Sequence, residues 1–124
     1  MTSVPPGIDL FMLVRLGWHA AEVILMNRYR RVARGFARHF SQCSGEQDQI
    51  VAETFLRLFR DVKNGSGPQN STAFAFCLKP MVRRVATDRA RRRAEERRAD
   101  QAAERRHHAA VDLTKFSLPN KEKS

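Results

Sequence analysis

The segment between residues 83 and 93 is rich in arginine, and the guanidinium groups could bind phosphate. The residues concerned are Arg83, Arg84, Arg89, Arg91, Arg92 and Arg93. Contacts to phosphate supply affinity for nucleic acid without reading its sequence, and they weaken as the salt concentration rises. The alternative is a solvated helix face in which Glu95 and Glu96 pair with the arginines. The chemistry indicated here is electrostatic binding of a polyanion.

A polar segment precedes the arginines and reads Asn-Gly-Ser-Gly-Pro-Gln-Asn over residues 64–70. Its glycines and proline predict a loop. Asn64, Ser66, Gln69 and Asn70 offer both donors and acceptors for the edge of a base. A plain connector between two helices is the alternative.

Phe76 lies between this loop and the arginines in the sequence. At about 100° per helical residue it lies roughly 200° from Phe74, on the side of Lys79 and Arg83. An aromatic ring beside cations could stack on an unpaired base. Burial of Phe76 against the N-terminal helix or a partner is the alternative.

Nothing in the sequence indicates an enzyme, since it has no nucleotide-binding loop and no nucleophile beside a base. Cys43 and Cys77 lack CxxC spacing, and the adjacent His107 and His108 would point about 100° apart on a helix. We therefore expect no catalytic residue, no metal and no cofactor. Both cysteines are expected to be free thiols in a reducing cytosol.

The composition of the 124 residues favours one domain with a polyanionic partner, because 23 Lys and Arg face 13 Asp and Glu. Nucleic acid is the first candidate and an anionic membrane surface the second. Residues 64–98 carry nine of the basic residues against three acids. The apolar stretches 8–16 and 20–26 are shorter than the roughly 20 residues that span a bilayer, so we expect no membrane insertion and a cytoplasmic location.

Apolar periodicity predicts an all-α fold, a compact bundle of three to four helices with a long basic C-terminal helix. A short helix over 9–16 should precede, across Gly17, a helix over 20–40. The apolar stripe of that second helix is Leu25, Tyr29, Val32, Phe36 and Phe40. Trp18 is expected in the core.

Two further helices follow in this prediction. The third covers 46–63, buries Val51, Phe55, Leu58 and Val62, and has Ser44 or Asp48 as its N-cap. The last begins near Ser71 or Thr72 and buries Phe74, Leu78, Met81 and Val85. Pro80 should kink or break that helix, or else open a new one.

Two blocks of sequence resemble a known family. Residues 46–60 read Glu-Gln-Asp-Gln-Ile-Val-Ala-Glu-Thr-Phe-Leu-Arg-Leu-Phe-Arg, and the last helix contains Asp-Arg-Ala-Arg-Arg-Arg at 88–93. The first resembles the polymerase-binding helix of extracytoplasmic-function (ECF) sigma factors, and the second resembles their promoter-melting helix. The resemblance covers residues 20–98 and implies a bundle of the sigma region 2 type.

The family pattern for the first block is Asp-Leu-Val-Gln-Glu-Thr-Phe-Leu-Arg. Here Gln49 stands in place of the Asp and Ala52 in place of the Gln, and Asp48 could supply the acid one residue early. The resemblance implies that this helix binds the β′ clamp helices of core RNA polymerase. The residues it assigns to this contact are Asp48, Gln49, Ala52, Glu53, Leu56 and Arg57.

The family pattern for the melting helix is Phe-x-x-Trp-Leu-x-x-Ile-Ala-Arg-Asn-x-x-x-Asp-x-x-Arg-Arg. Cys77 takes the Trp place, Arg84 takes the Asn place, and Pro80 is unusual. In the family, the preceding loop receives a flipped base of the −10 element on the non-template single strand. The implied DNA-binding residues are Asn64, Ser66, Gln69, Asn70, Phe76, Lys79, Arg83, Arg84, Thr87, Arg91 and Arg92.

The resemblance implies a divergent sigma factor region 2 that binds core RNA polymerase and recognises and melts the −10 promoter element, with an anti-sigma factor as a possible partner. No helix-turn-helix resembling region 4 follows, which predicts either a fragment or a stand-alone region-2-like regulator that acts with a partner protein. The remaining alternative is an unrelated basic module that coats nucleic acid or an anionic membrane surface. The predicted organisation is a flexible N-terminus (1–7), the helical domain (8–99), and a frayed helix end, linker or disordered tail (100–124).

Overall fold

The structure, a computed structural model, describes the backbone of residues 9–123 and the side chains of residues 9–111. The flexible N-terminus predicted for residues 1–7 lies outside the described residues. The described chain forms four helices and no strand, so the all-α prediction is confirmed. They are α1 (Leu10–Arg15), α2 (His19–Ala37), α3 (Ser44–Lys63) and α4 (Ser71–Lys123).

An aromatic cluster joins the start of α4 to the other three helices. Phe74 is fully buried, and its ring centroid lies 5.7 Å from that of Phe11 in α1 and 5.1 Å from that of Tyr29 in α2. The rings of Phe55 and Phe59 in α3 stack against it at 6.2 and 5.9 Å. Each such pair contributes about 0.5–1.5 kcal/mol beyond the burial of apolar area. Phe74 therefore fixes the position of the first turns of α4.

The apolar stripes predicted for α3 and α4 are confirmed with one correction. All the predicted positions of α3 are buried, namely Val51, Phe55, Leu58 and Val62. On α4, Phe74, Leu78 and Val85 are buried as well. Met81 is only half-buried, and the neighbouring Val82 is fully buried in its place.

The stripe predicted for α2 is wrong at two positions. Leu25 is buried and Tyr29 and Phe36 are half-buried, but Val32 and Phe40 are exposed. The buried positions near the end of α2 are instead Ala33 and Ala37. Small side chains let neighbouring helices approach closely, so a pattern that weighs residues by size and apolar character points to the wrong side of this helix.

The turn between α1 and α2 corrects the prediction for Trp18. Asp9 caps α1 through a carboxylate oxygen that accepts from the Phe11 N–H at 2.9 Å, and Gly17 turns the chain with a φ of 89°. Trp18 then occupies the N-cap position of α2 and is 59% exposed, not in the core. The N-cap residue lies outside the helical repeat, and the preceding turn decides where its side chain points. The apolar periodicity therefore does not predict whether Trp18 is buried.

The start of α3 also differs from the prediction. The helix begins at Ser44 with Cys43 at the N-cap position, so neither Ser44 nor Asp48 is the cap. The Ser44 hydroxyl accepts a hydrogen bond from Arg34 at 3.0 Å, and Asp48 lies 3.2 Å from the same arginine. Both predicted caps therefore bind a side chain of α2.

α4 continues without interruption through Pro80, so the predicted local break and the alternative start at Pro80 are both wrong. A proline inside a helix costs about 3 kcal/mol. Leu78 and Val82 flank it and are fully buried. Burial of two such side chains contributes roughly 1.5–3 kcal/mol each, which is enough to offset that cost.

The chain divides into two compact units, 1–87 and 88–124. The first contains α1, α2, α3, the start of α4 and the hydrophobic core. The second consists of the rest of α4, whose side chains up to Val111 are mostly exposed and whose backbone is helical as far as Lys123. The domain boundary predicted after residue 99 stays a prediction.

Candidate functional site

α3 has an exposed side that carries the residues predicted to bind RNA polymerase. Asp48, Gln49, Ala52 and Leu56 are exposed there, and Glu53 and Arg57 are half-buried. We call these six residues the α3 face. They lie on one side because positions three and four apart share a face of a helix, while the interleaved apolar positions enter the core.

Leu56 is the most prominent apolar group of the α3 face. Its side chain is 70% exposed, although the neighbouring Phe55 is buried. The exposed Ala52 lies one turn before it. A small apolar centre with charged groups around it is the composition of a protein-docking surface.

The carboxylates of the α3 face contact arginines. Asp48 lies 3.2 Å from the guanidinium group of Arg34 on α2, and Glu53 lies 3.7 Å from that of Arg57 one turn later. The acid that is displaced by one residue from the family pattern is thus present on the surface, and α2 holds it in place.

A groove beside the α3 face is lined from the other side by α2. His19, Glu22 and Met26 face Ala52, Glu53 and Leu56 across it. These three α2 residues are absent from the sequence-based site. No sequence motif indicates them, because their proximity to α3 depends on how the two helices pack.

Glu22 ties the two sides of this groove together. One carboxylate oxygen accepts from Lys63 of α3 at 2.8 Å, and the other lies 3.0 Å from Nδ1 of His19. Burial alone would raise the pKa of this carboxyl, but the hydrogen bonds and charges of Lys63 and His19 outweigh burial and lower the pKa. Glu22 is therefore an ionised link between α2 and α3.

The polar loop is anchored to the end of α3 by backbone hydrogen bonds. Gly65, with a φ of 77°, donates to the carbonyl of Val62 at 3.1 Å, and Ser66 donates to that of Asp61 at 3.0 Å. This pair of bonds is a Schellman motif. A Cβ atom at Gly67 would lie 2.8 Å from the Cβ atom of Asp61 and 2.9 Å from backbone atoms, so the loop passes too close to α3 for any side chain there.

The four predicted base-contacting residues of the loop have different surroundings. Asn64 is the exposed C-cap of α3, and the exposed Ser66 hydroxyl lies 3.4 Å from the Asp61 carbonyl. Asn70 caps α4, since its side-chain oxygen accepts from the Ala73 N–H at 2.8 Å. The Gln69 amide accepts from Arg15 of α1 and donates to the Gly67 carbonyl at 3.0 Å. The structure brings the four together in one loop.

The first turns of α4 carry cations and an aromatic ring on the side opposite the core. Phe76 is 78% exposed, and Lys79, Arg83, Arg84 and Thr87 are exposed as well. We call these five residues the α4 face. The prediction that Phe76 lies with Lys79 and Arg83, away from Phe74, is confirmed, and the alternative that Phe76 is buried within this chain is wrong.

Arg91 and Arg92, the remaining predicted DNA-binding residues, are in the second unit and are both exposed. Arg92 already takes part in contacts within the chain. Their assignment to DNA binding stays a prediction.

Nowhere in residues 9–111 do three or more His, Cys, Asp or Glu side chains come together in a way that could hold a metal ion. The rings of His107 and His108 lie edge to face at 6.3 Å, and Cys43 and Cys77 are free thiols. The described helices include none with both the length and the apolar character needed to cross a bilayer.

Comparison with known proteins gives one finding. The Sigma-70 region 2 family matches residues 25–96, which include α3, the loop, the α4 face and most of α2. Among curated proteins and among solved structures, no match is found.

Proposed function

The chain belongs to the sigma-70 region 2 family, and from that membership we propose that it binds core RNA polymerase through the α3 face and melts the −10 promoter element with the loop and the α4 face. The family gives the chain a sigma-factor-like role in promoter recognition and RNA polymerase binding, in a group of initiation factors that are not enzymes. Because the match spans more than half of the chain, an accidental resemblance of an unrelated basic module is excluded.

The observation that carries the DNA part of the proposal is the composition of the α4 face. Phe76 is largely exposed on the same side of α4 as Lys79 and Arg83, and no acidic residue occurs between Ser71 and Thr87. A core residue of this size would be buried, and a solvated helix face would alternate the two signs of charge. An exposed ring beside several cations, in a segment without acids, suits a nucleic acid strand with unpaired bases.

Energetics indicate how this surface could melt a duplex. Taking a base out of the stack costs a few kcal/mol. Stacking of that base on an aromatic side chain returns about 1–3 kcal/mol, and cations that hold the phosphates of the same strand add a salt-sensitive term. Phe76 would supply the stacking, and Lys79, Arg83 and Arg84 the phosphate contacts. Duplex DNA gives Phe76 no unpaired base, so the face favours the open strand.

The loop would supply base recognition. Gln69 and Asn70 carry amides, and Asn64 and Ser66 add further donors and acceptors at the end of α3. Since the Asn70 oxygen caps α4, its amide nitrogen is the part that could reach a base. In this proposal phosphate contacts position the strand and the loop reads it.

The proposed partners imply a cellular location and a route of inhibition. A factor that uses core RNA polymerase and promoter DNA works in the cytoplasm of a bacterial cell. An anti-sigma factor would inhibit the protein by covering the α3 face, because that face is exposed and contains the apolar Leu56.

Co-purification with core RNA polymerase tests the docking part. A Glu53→Arg change reverses one charge of the α3 face and places like charges beside Arg57, so we expect most of the bound polymerase to be lost. Glu104→Arg makes the same charge change at an exposed position outside the matched residues and should leave binding intact. Far-UV circular dichroism should be equal for both variants. Undiminished binding by the Glu53 variant would exclude α3 as the docking helix.

A further inference from the structure

Arg15 of α1 and Gln69 of the loop are 54 residues apart in the sequence, yet their side chains are hydrogen-bonded. The guanidinium group of Arg15 donates to the amide oxygen of Gln69. The amide nitrogen of Gln69 donates in turn to the carbonyl oxygen of Gly67 at 3.0 Å. Both ends of the amide are thereby held, one by another helix and one by the loop itself.

These two bonds determine which way the amide faces. Arginine can only donate and a carbonyl can only accept, so the oxygen of Gln69 must face Arg15 and the nitrogen must face Gly67. An amide oxygen has a second acceptor position and the nitrogen a second N–H, so one acceptor and one donor of Gln69 remain for a base. That pairing matches the adjacent acceptor and donor that a base such as adenine presents.

The loop backbone gives this amide a fixed support. Hydrogen bonds from Gly65 and Ser66 fasten the loop to α3, and the chain at Gly67 lies against the backbone of Asp61. A glutamine on such a support loses little freedom when it binds, and pre-organisation of this kind raises both affinity and selectivity.

We propose that Arg15 is a positioning residue for sequence recognition, which orients the Gln69 amide so that it reads one base of a single DNA strand. The inference rests on the proposed function, in which the loop reads a base, and extends it to a residue outside the family-matched segment 25–96. Arg15 does not touch the base in this proposal. It sets which donor and acceptor the base meets.

The test uses the full chain and a pool of randomised single-stranded DNA of about ten nucleotides, a length within the usual site size of single-strand binders. Bound strands are sequenced to give the base preference at each position, and fluorescence anisotropy gives the affinity for the whole pool at several salt concentrations. The variants are Gln69→Ala, Arg15→Ala, Arg15→Lys and the double alanine variant. Arg31→Ala removes the charge of an exposed arginine on α2 and serves as the control.

The expected result is a loss of preference at one position. Gln69→Ala should reduce it roughly 5-fold or more, since a good bidentate contact discriminates by about that factor at least. Arg15→Ala should remove most of the same preference at the same position, and the double variant should lose no more than Gln69→Ala. Arg15→Lys should retain part of it, because lysine still donates but without the planar geometry of arginine. The salt dependence of pool binding and the melting temperature should stay close to those of Arg31→Ala, because no phosphate contact is lost.

Three outcomes would overturn the inference, and they differ in what they say of the proposed function. If Gln69→Ala loses the preference and Arg15→Ala keeps it, Arg15 does not position the amide, although the loop still reads a base. If Arg15→Ala weakens binding to all sequences equally and flattens the salt dependence, Arg15 contacts phosphate instead. If the unaltered protein has no preference, or Gln69→Ala leaves it unchanged, base reading by Gln69 fails and the role of Arg15 fails with it.

Discussion

The α3 face and the α4 face lie on helices that bury similar apolar stripes, yet they expose different chemistry. α3 carries both signs of charge, and its acids contact cations, as in the pairs of Asp48 with Arg34 and Glu53 with Arg57. The α4 segment from Ser71 to Thr87 contains basic residues and no acid. The exposed apolar group is an aliphatic leucine on α3 and an aromatic ring on α4.

This difference separates two kinds of recognition. Paired charges around an apolar centre give a surface that depends on shape and fits another protein. Cations around an exposed aromatic ring have the composition of surfaces that bind single strands, where phosphate contacts release counterions and the ring stacks on a base. Binding through the α3 face should therefore depend on salt much less than binding through the α4 face, although both belong to one small unit.

The change with the largest expected effect is Leu56→Arg. It replaces the apolar centre of the α3 face by a charge, and we expect affinity for core RNA polymerase to fall roughly 30-fold or more, as at a central interface residue. Affinity for single-stranded DNA should be unchanged. Leu16→Arg is the matched control, because Leu16 is the C-cap residue of α1, lies outside the α3 face and is similarly exposed. Quantitative pull-down measures the polymerase affinity, and anisotropy measures the single-strand affinity. Equal losses of polymerase affinity for the two variants would show that the α3 face is not a specific docking surface.

Phe76→Ala probes the α4 face. Loss of one stacking platform should weaken single-strand binding by about 1–3 kcal/mol and leave polymerase binding intact. Thermal stability should change by less than about 0.5 kcal/mol, because the ring is exposed. Phe40→Ala removes an exposed ring elsewhere and should not affect DNA binding. A large drop in melting temperature for Phe76→Ala would mean that the ring is structural.

Arg83→Ala should have a smaller effect that is the same for every sequence. Loss of one phosphate contact should reduce the slope of log affinity against log salt by about 0.7 for a single strand. Arg60→Ala, an exposed cation of α3, should leave the slope unchanged. Anisotropy titrations at several salt concentrations measure both. If the two variants change the slope equally, the phosphate contacts are not confined to the α4 face.

The sequence predicted the helices and the core of α3 and α4 well, for a physical reason. Each of these helices has one broad apolar face, so the buried positions Val51, Phe55, Phe74 and Leu78 follow from spacing alone. α2 has large apolar residues on more than one side, and the packing of its alanines decides which side is buried. The exposure of Val32 is the result.

The details of the candidate site depended on contacts between distant parts of the chain. The resemblance to the sigma-factor helices assigns the residues of the α3 face and most of the α4 face, and their spacing relative to the core stripe predicts that they lie outside the core. The contacts of Glu22 with Lys63 and of Arg15 with Gln69 join residues more than 40 positions apart, which no local pattern reports. Asn70 was predicted to contact a base, and its role as a helix cap appears only when the start of α4 is seen.

Glu22→Gln should have the smallest effect, and it concerns stability. Because the pKa of Glu22 is lowered in the folded state, its ionised form stabilises the protein above the unfolded pKa, and that contribution is lost as the pH falls through the folded pKa. The variant should be less stable at neutral pH by less than about 1 kcal/mol, since Lys63 is partly exposed. The difference should vanish in acid.

Urea unfolding at both pH values tests this prediction, with Glu104→Gln as an exposed control. A stability difference that persists in acid would show that shape, not charge, links α2 to α3. Glu22→Gln should weaken polymerase binding at the pH values at which it lowers the stability, whereas DNA binding should be unchanged.

The close approach of Gly67 to α3 limits how promoter preference could diverge among descendants of this protein. Any side chain at position 67 would collide with the backbone of Asp61 and Val62, and the hydrogen bonds on either side of it set the path of the chain. Ser66 and Gln69 are exposed, and the backbone hydrogen bonds that hold the loop to α3 do not involve their side chains. If the loop reads a base as proposed, new preferences would arise by replacement of side chains on a loop of constant length and path, and α3 would keep its geometry.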